Sequence, residues 1–95
     1  VFILRIVFMI ARKIIYQGSL TDQTIALIFD ITRKVEITGE LKVVSPSQIE
    51  LNLEGDPSMI KLIQHQIEHR VKEMISHKTI ESVPFRYYSG FTLLR

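Results

Sequence analysis

Two histidines one helical turn apart, in His65-Gln66-Ile67-Glu68-His69, come nearest in this sequence to a metal-ligand pair. Both imidazoles could reach one zinc ion from a shared helix face. The pair lies opposite Ile67, with no third ligand or cleft evident, so the spacing predicts a solvated polar face and no metal site. A second candidate is the aromatic group Phe85, Tyr87, Tyr88 and Phe91, able in principle to stack on bases or on a partner. Alternation along a strand predicts that these rings divide between core and edge instead. There is no cysteine, hence no thiol nucleophile, thiolate metal site or disulfide. No residue set carries catalysis, so no enzymatic activity is expected.

The elements that would position these residues can be read from periodicity. The apolar, β-branched run over 2–10 predicts a buried first strand. The following segment, Ala11–Leu20, reads equally as a loop with a short extension of that strand or as a second strand. Thr21 is placed to cap a helix that runs to about Lys34, with Asp22 suited to the positive end of its dipole. Strands follow at about 40–45 and 48–54, joined by a turn at Ser45-Pro46-Ser47. In the second of them Ile49, Leu51 and Leu53 make one apolar face, and Gln48, Glu50, Asn52 and Glu54 a wet one. Asp56 caps a second helix with Pro57 at its first position, and its stripe Ile60, Ile63, Ile67, Val71 and Met74 carries it to about Ser76. A last strand is expected at about 79–83, and residues 85–95 either continue it or add an edge strand after Pro84. Gly90 marks a bulge or a close backbone approach.

The order β-α-β-β-α-β predicts an α+β, ferredoxin-like fold: one mixed, mainly antiparallel sheet with both helices on one face. All 95 residues fall in a single domain. The 46% hydrophobic and 23% charged content is that of a globular chain. Twelve basic and ten acidic residues give a net charge of +2, spread rather than clustered, which argues against a nucleic-acid partner. The apolar start, 1–10, is about half a bilayer span and carries Arg5, so neither a membrane segment nor a signal peptide is expected. A cytoplasmic location fits, and the lack of an initiator Met reads as a start within a longer protein.

Several stretches, in order, resemble the BLUF family of flavin-binding blue-light sensors. Ile37-Thr38-Gly39-Glu40-Leu41-Lys42-Val43 is similar to the family's ITGLLLY, and Ile49–Asp56 to its FLQVLEG segment. Lys13–Lys34 resembles the family's opening strand and helix, and Phe85, Tyr88, Ser89 and Phe91 are similar to its closing aromatic motif. The resemblance implies FAD held between the two helices and the sheet. It would place at that cofactor Phe8 or Tyr16 on the first strand, Ile28 on the first helix, Leu51 and Leu53 on the third strand, and Tyr88 near the end.

The departures fall on the chemistry. Leu51 stands where the family has a glutamine that hydrogen-bonds both a tyrosine and the flavin ring. Tyr88 stands where tryptophan is usual, and the asparagine after the first helix has no counterpart. Photochemistry is therefore expected to be lost, with FAD binding left open because leucine can still line an apolar pocket. What remains is a sensor-like regulatory domain acting through a protein partner or itself. The alternative is a flavin-free interaction module, a homodimer through a sheet edge or the C-terminal aromatics. Acylphosphatases share the same element order, and Tyr16–Asp22 loosely resembles their phosphate loop. Asp22 falls where that family has its arginine and Val43 where it has its asparagine, so the enzyme reading ranks below the other two.

Overall fold

The structure is a computed structural model that describes residues 8–95. Strand β1 (Ile10–Gly18) leads through three residues into helix α1 (Asp22–Arg33). The hairpin β2 (Thr38–Ser45) and β3 (Gln48–Gly55) follows, then helix α2 (Pro57–Arg70) and a 3-10 turn at Lys72–Met74. Strand β4 (Ile75–Ser82) and the short β5 (Phe91–Leu94) complete it. The sheet order is β4-β1-β3-β2-β5, antiparallel throughout except where β5 runs parallel to β2. The ferredoxin-like α+β expectation therefore holds, with β5 as the added edge strand.

Residues 2–7 of the strand expected over 2–10 lie outside the described residues, and Phe8 and Met9 are not in a strand. The stretch that reads equally as a loop or a second strand is β1, from Ile10 to Gly18. Helices cover one face of the sheet, so the residues of this strand alternate. Ile14 and Tyr16 turn toward the helices, opposite Leu51 and Ile49 of β3, whereas Lys13, Ile15 and Gln17 turn away.

Both caps behave as their residue types require. The Thr21 hydroxyl accepts the Thr24 amide at 3.2 Å, and the Asp56 carboxylate accepts the Ser58 amide at 2.7 Å. The Ser58 bonds hold the Asp56 carboxyl below the usual carboxylate range. Helix α2 stops at Arg70, not near Ser76. Val71 still donates to the Ile67 carbonyl, but the next three residues tighten into the 3-10 turn that delivers the chain to β4. Two glycines allow the backbones to close. A Cβ on Gly18 would lie 1.9 Å from the Met74 carbonyl oxygen, and one on Gly39 1.8 Å from that of Asn52.

The core sits between the helices and the sheet. Ile28, Ile63 and Ile67 descend onto Ile14, Leu41, Leu51 and Leu53, all fully buried. Phe91 of β5 stacks on Phe29 of α1 with ring centroids 5.4 Å apart.

Candidate functional site

Three places could carry chemistry. The first is the helix-side core, to which β1 and β3 bring Tyr16, Leu51 and Leu53 and α1 brings Ile28, all at 0% exposure. Tyr16 is the one polar group among these four. Its hydroxyl donates to Glu68 Oε2 of α2 at 3.1 Å, and Lys78 Nζ of β4 meets Glu68 Oε1 at 2.5 Å. Strand pairing sets Lys78 directly across from Tyr16, so the chain of bonds ties α2 to both β1 and β4 on that side. Burial, then the Glu68 charge and its hydrogen bond, push the phenol well above its ordinary range. Tyr16 is thus a neutral, fully engaged donor.

Phe8 and Tyr88, placed at the same cofactor by the resemblance, lie elsewhere. Phe8 precedes β1 and is 73% exposed, and Tyr88 lies on the opposite face of the sheet. Tyr16, the other residue offered for that strand position, is the one that enters the core. A flavin ring needs donors and acceptors for its polar edge. Here the interval is filled by aliphatic side chains, and the tyrosine hydroxyl is spent on Glu68. The residues of this core do not fit the group.

The second place is the β1–α1 loop. An anion cradle needs free amides, and two of these are committed: Gly18 donates to the Ser47 carbonyl and Ser19 to that of Met74, each at 3.0 Å. Leu20 turns into the core, and the Thr24 amide is held by Thr21. Asp22 is 86% exposed and pairs with Arg95 at 3.0 Å, so the guanidinium that reaches this end is neutralised. Val43 sits half-buried on β2.

The third place was not anticipated. The sheet face away from the helices was expected to be wet, yet Asn52 and Glu54 are buried, Glu54 at 4% exposure. The segment between β4 and β5 crosses over them. The Glu54 carboxylate accepts the backbone amides of Arg86 and Tyr88, and the Tyr88 hydroxyl donates to Glu40 Oε1 at 3.2 Å. Partial burial, with Glu40 next to it, raises the Tyr88 phenol. Between the two bonded amides Tyr87 adopts φ 57°, the left-handed conformation that non-glycine residues resist. A pocket of about 260 Å³ lies beneath, bordered by Lys13, Asn52, Glu54, Arg86 and Tyr88. The Glu54 clamp organises a loop. Its sequence signal was the acid closing β3 in Leu53-Glu54-Gly55, but alternation alone could not tell a covered carboxylate from a solvated one. Glu68 carried a fainter signal, since a tyrosine directed into a core requires a partner for its hydroxyl.

His65 and His69 are exposed on α2, ring centroids 6.3 Å apart, on a groove of about 470 Å³ shared with Asp30, Lys34 and Arg70. Asp30 is taken by Arg33 and Lys34, whose hydrogen bonds lower its carboxyl. Among the described residues no three His, Asp or Glu side chains converge on a metal position, and no helix is long and apolar enough to cross a membrane.

No family model matches the sequence, and no curated protein matches it. Solved structures do match. An acylphosphatase from Coxiella burnetii superposes with a TM-score of 0.77 at 16% identity, over 90% of this chain and 92% of that one. Full-length HypF, in a phosphate- and nucleotide-bound form, gives 0.78 at 19% identity over 96% of this chain but only 12% of its own length. The BLUF structure of BlrP1 gives 0.59 at 17% identity, covering 90% of this chain and 64% of that one. At such identities the likeness is one of fold, and the chain has the ferredoxin-like architecture that acylphosphatases and BLUF domains share.

Proposed function

We propose that this chain is a small regulatory domain that acts through protein contacts, on the shared acylphosphatase and BLUF frame, without the chemistry of either. The observation that carries this reading is the closed helix-side core. Leu51 fills the position of the photoactive glutamine, and the Tyr16 hydroxyl is bound to a Glu68–Lys78 pair. A flavin would have to displace packed aliphatic groups and would gain few hydrogen bonds, each worth about 1 kcal/mol net.

The higher TM-scores of the acylphosphatase structures support a second reading, an acyl-phosphate hydrolase. Such a reaction depends on preorganised positive charge at the transferred group. Asp22 and the engaged amides of Gly18 and Ser19 weigh against it. Two assays on one preparation test both. Titration with FAD, followed by flavin fluorescence and by absorbance before and after blue light, is expected to show no saturable binding and no shifted band. Incubation with benzoyl phosphate is expected to show no turnover above the buffer rate. A yellow protein with a light-shifted band, or saturable hydrolysis, would overturn the proposal.

A further inference from the structure

The sheet has two edges, and they differ. β5 offers only four residues, whereas β4 offers eight, and among the described residues nothing pairs with its outer side. Long unpaired edges invite a further strand. We infer that the outer edge of β4 is a self-association surface, where a second copy of this chain pairs antiparallel about Thr79 to extend the sheet across a two-fold axis. This rests on the reading of the chain as a contact module and names its partner.

Backbone polarity, side-chain face and charge select the register. The Val83 amide donates to the Ala11 carbonyl, and pairing of Arg12 with Ser82 sets these two residues opposite each other. In an antiparallel ladder, bonded pairs alternate, so Thr79 and Glu81 spend their backbone groups on β1, while Lys78, Ile80 and Ser82 turn theirs outward. A two-fold axis normal to the sheet pairs residues that share a face. Centring it on Lys78 would oppose two ammonium groups, and centring it on Ile80 would set Ser76 against Pro84, which has no N–H. Centring it on Thr79 pairs Lys78 with Ile80 of the second copy twice, giving roughly four interchain backbone bonds. The same register sets His77 across from Glu81 twice, at positions whose side chains stand close and carry complementary chemistry.

The usual protection of an edge is a free charge, and one of the two here is diverted. Lys78 is drawn over the helix side by Glu68, at 2.5 Å. Ile80, on the same side, is left 45% exposed and would be covered by the Lys78 stem of the second copy.

One strand pair buries little area, so the association is weak and reversible, visible on the order of 10–100 µM. Light scattering coupled to size exclusion, with the whole chain over a concentration series, reads it directly. The mass is expected to climb from 11.0 kDa toward twice that value. Glu81→Lys, its fold checked by circular dichroism, is expected to hold it at the monomer mass, and His77→Glu with Glu81→Lys to restore the rise. A wild-type chain that stays monomeric, or a Glu81→Lys chain that associates equally well, would overturn the inference. FAD uptake or acyl-phosphate turnover by the same preparation would end the functional reading but leave the dimer standing. A monomer showing neither would do the reverse.

Discussion

Replacing Leu51 by glutamine introduces the amide that the resemblance to BLUF domains would place there, and it asks whether the core is closed. Leu51 is fully buried between Ile14 and Leu41 on neighbouring strands. Leucine and glutamine are similar in volume, so no large cavity opens and the cost is one of polarity. Losing the buried isobutyl group forfeits about 2 kcal/mol of apolar transfer. The incoming amide brings two donors and a carbonyl, and the hydroxyl that could meet it, Tyr16, is held by Glu68. An unpaired buried polar group costs about 1–3 kcal/mol. Together these give a loss of about 3–5 kcal/mol, a large part of the roughly 5–15 kcal/mol that a domain of this size has. In urea, with a slope of about 1–3 kcal/mol per molar, the midpoint should fall by about 2 M, read by far-ultraviolet ellipticity. Leu51→Met, which conserves volume and polarity, should lose less than about 1.5 kcal/mol. A Leu51→Gln chain that unfolds within about 1 kcal/mol of wild type, and turns yellow with FAD, would refute the closed-core reasoning.

Tyr16 makes stability fall at high pH. Its folded value is raised, while in the unfolded chain it ionises near about 10. The contribution is therefore complete below pH ~10 and declines above it by up to about 1.4 kcal/mol per pH unit, as the unfolded state alone releases the proton. Tyr16→Phe should flatten most of that slope in alkaline melts, leaving the smaller share of Tyr88. Glu54→Gln removes one of two acceptors for the Arg86 and Tyr88 amides, so their hydrogen exchange should accelerate, with a loss of about 1–2 kcal/mol. Gly39→Ala drives a methyl group to 1.8 Å from the Asn52 carbonyl oxygen, and the β2–β3 ladder should give way at a cost of about 3 kcal/mol in chemical denaturation.

The architecture was legible wherever a local pattern had one physical solution. Thr21 and Asp56 announce helix starts because unpaired amides need an acceptor, and the trio Ile49, Leu51 and Leu53 fixes the buried face of β3 because alternation leaves no other. The stretch after the apolar run stayed open between loop and strand because Ile14 and Ile15 in succession interrupt the alternation. Only the register with β3 singles out Ile14 and Tyr16, and register is a property of two strands together. The end of α2 was missed for a related reason. Val71 continues the stripe, but the approach of Met74 to Gly18 and Ser19 requires the chain to turn at once into β4.

The polar groups explain why sites are harder to read than folds. Glu54 and Glu50 occupy the same face of the same strand, and nothing local separates them, yet only Glu54 lies beneath the crossing segment and binds its amides. Likewise Glu68 sits between two histidines in a motif that invites a metal reading, while its carboxylate turns to a tyrosine fifty-two residues away in sequence. The Glu54 and Glu68 carboxylates bind the protein's own amide, hydroxyl and ammonium groups. Satisfied buried polar groups rigidify what they connect. On the proposed reading, the recognition chemistry of so small a frame lies at the β4 edge, whose outer backbone groups pair with nothing among the described residues.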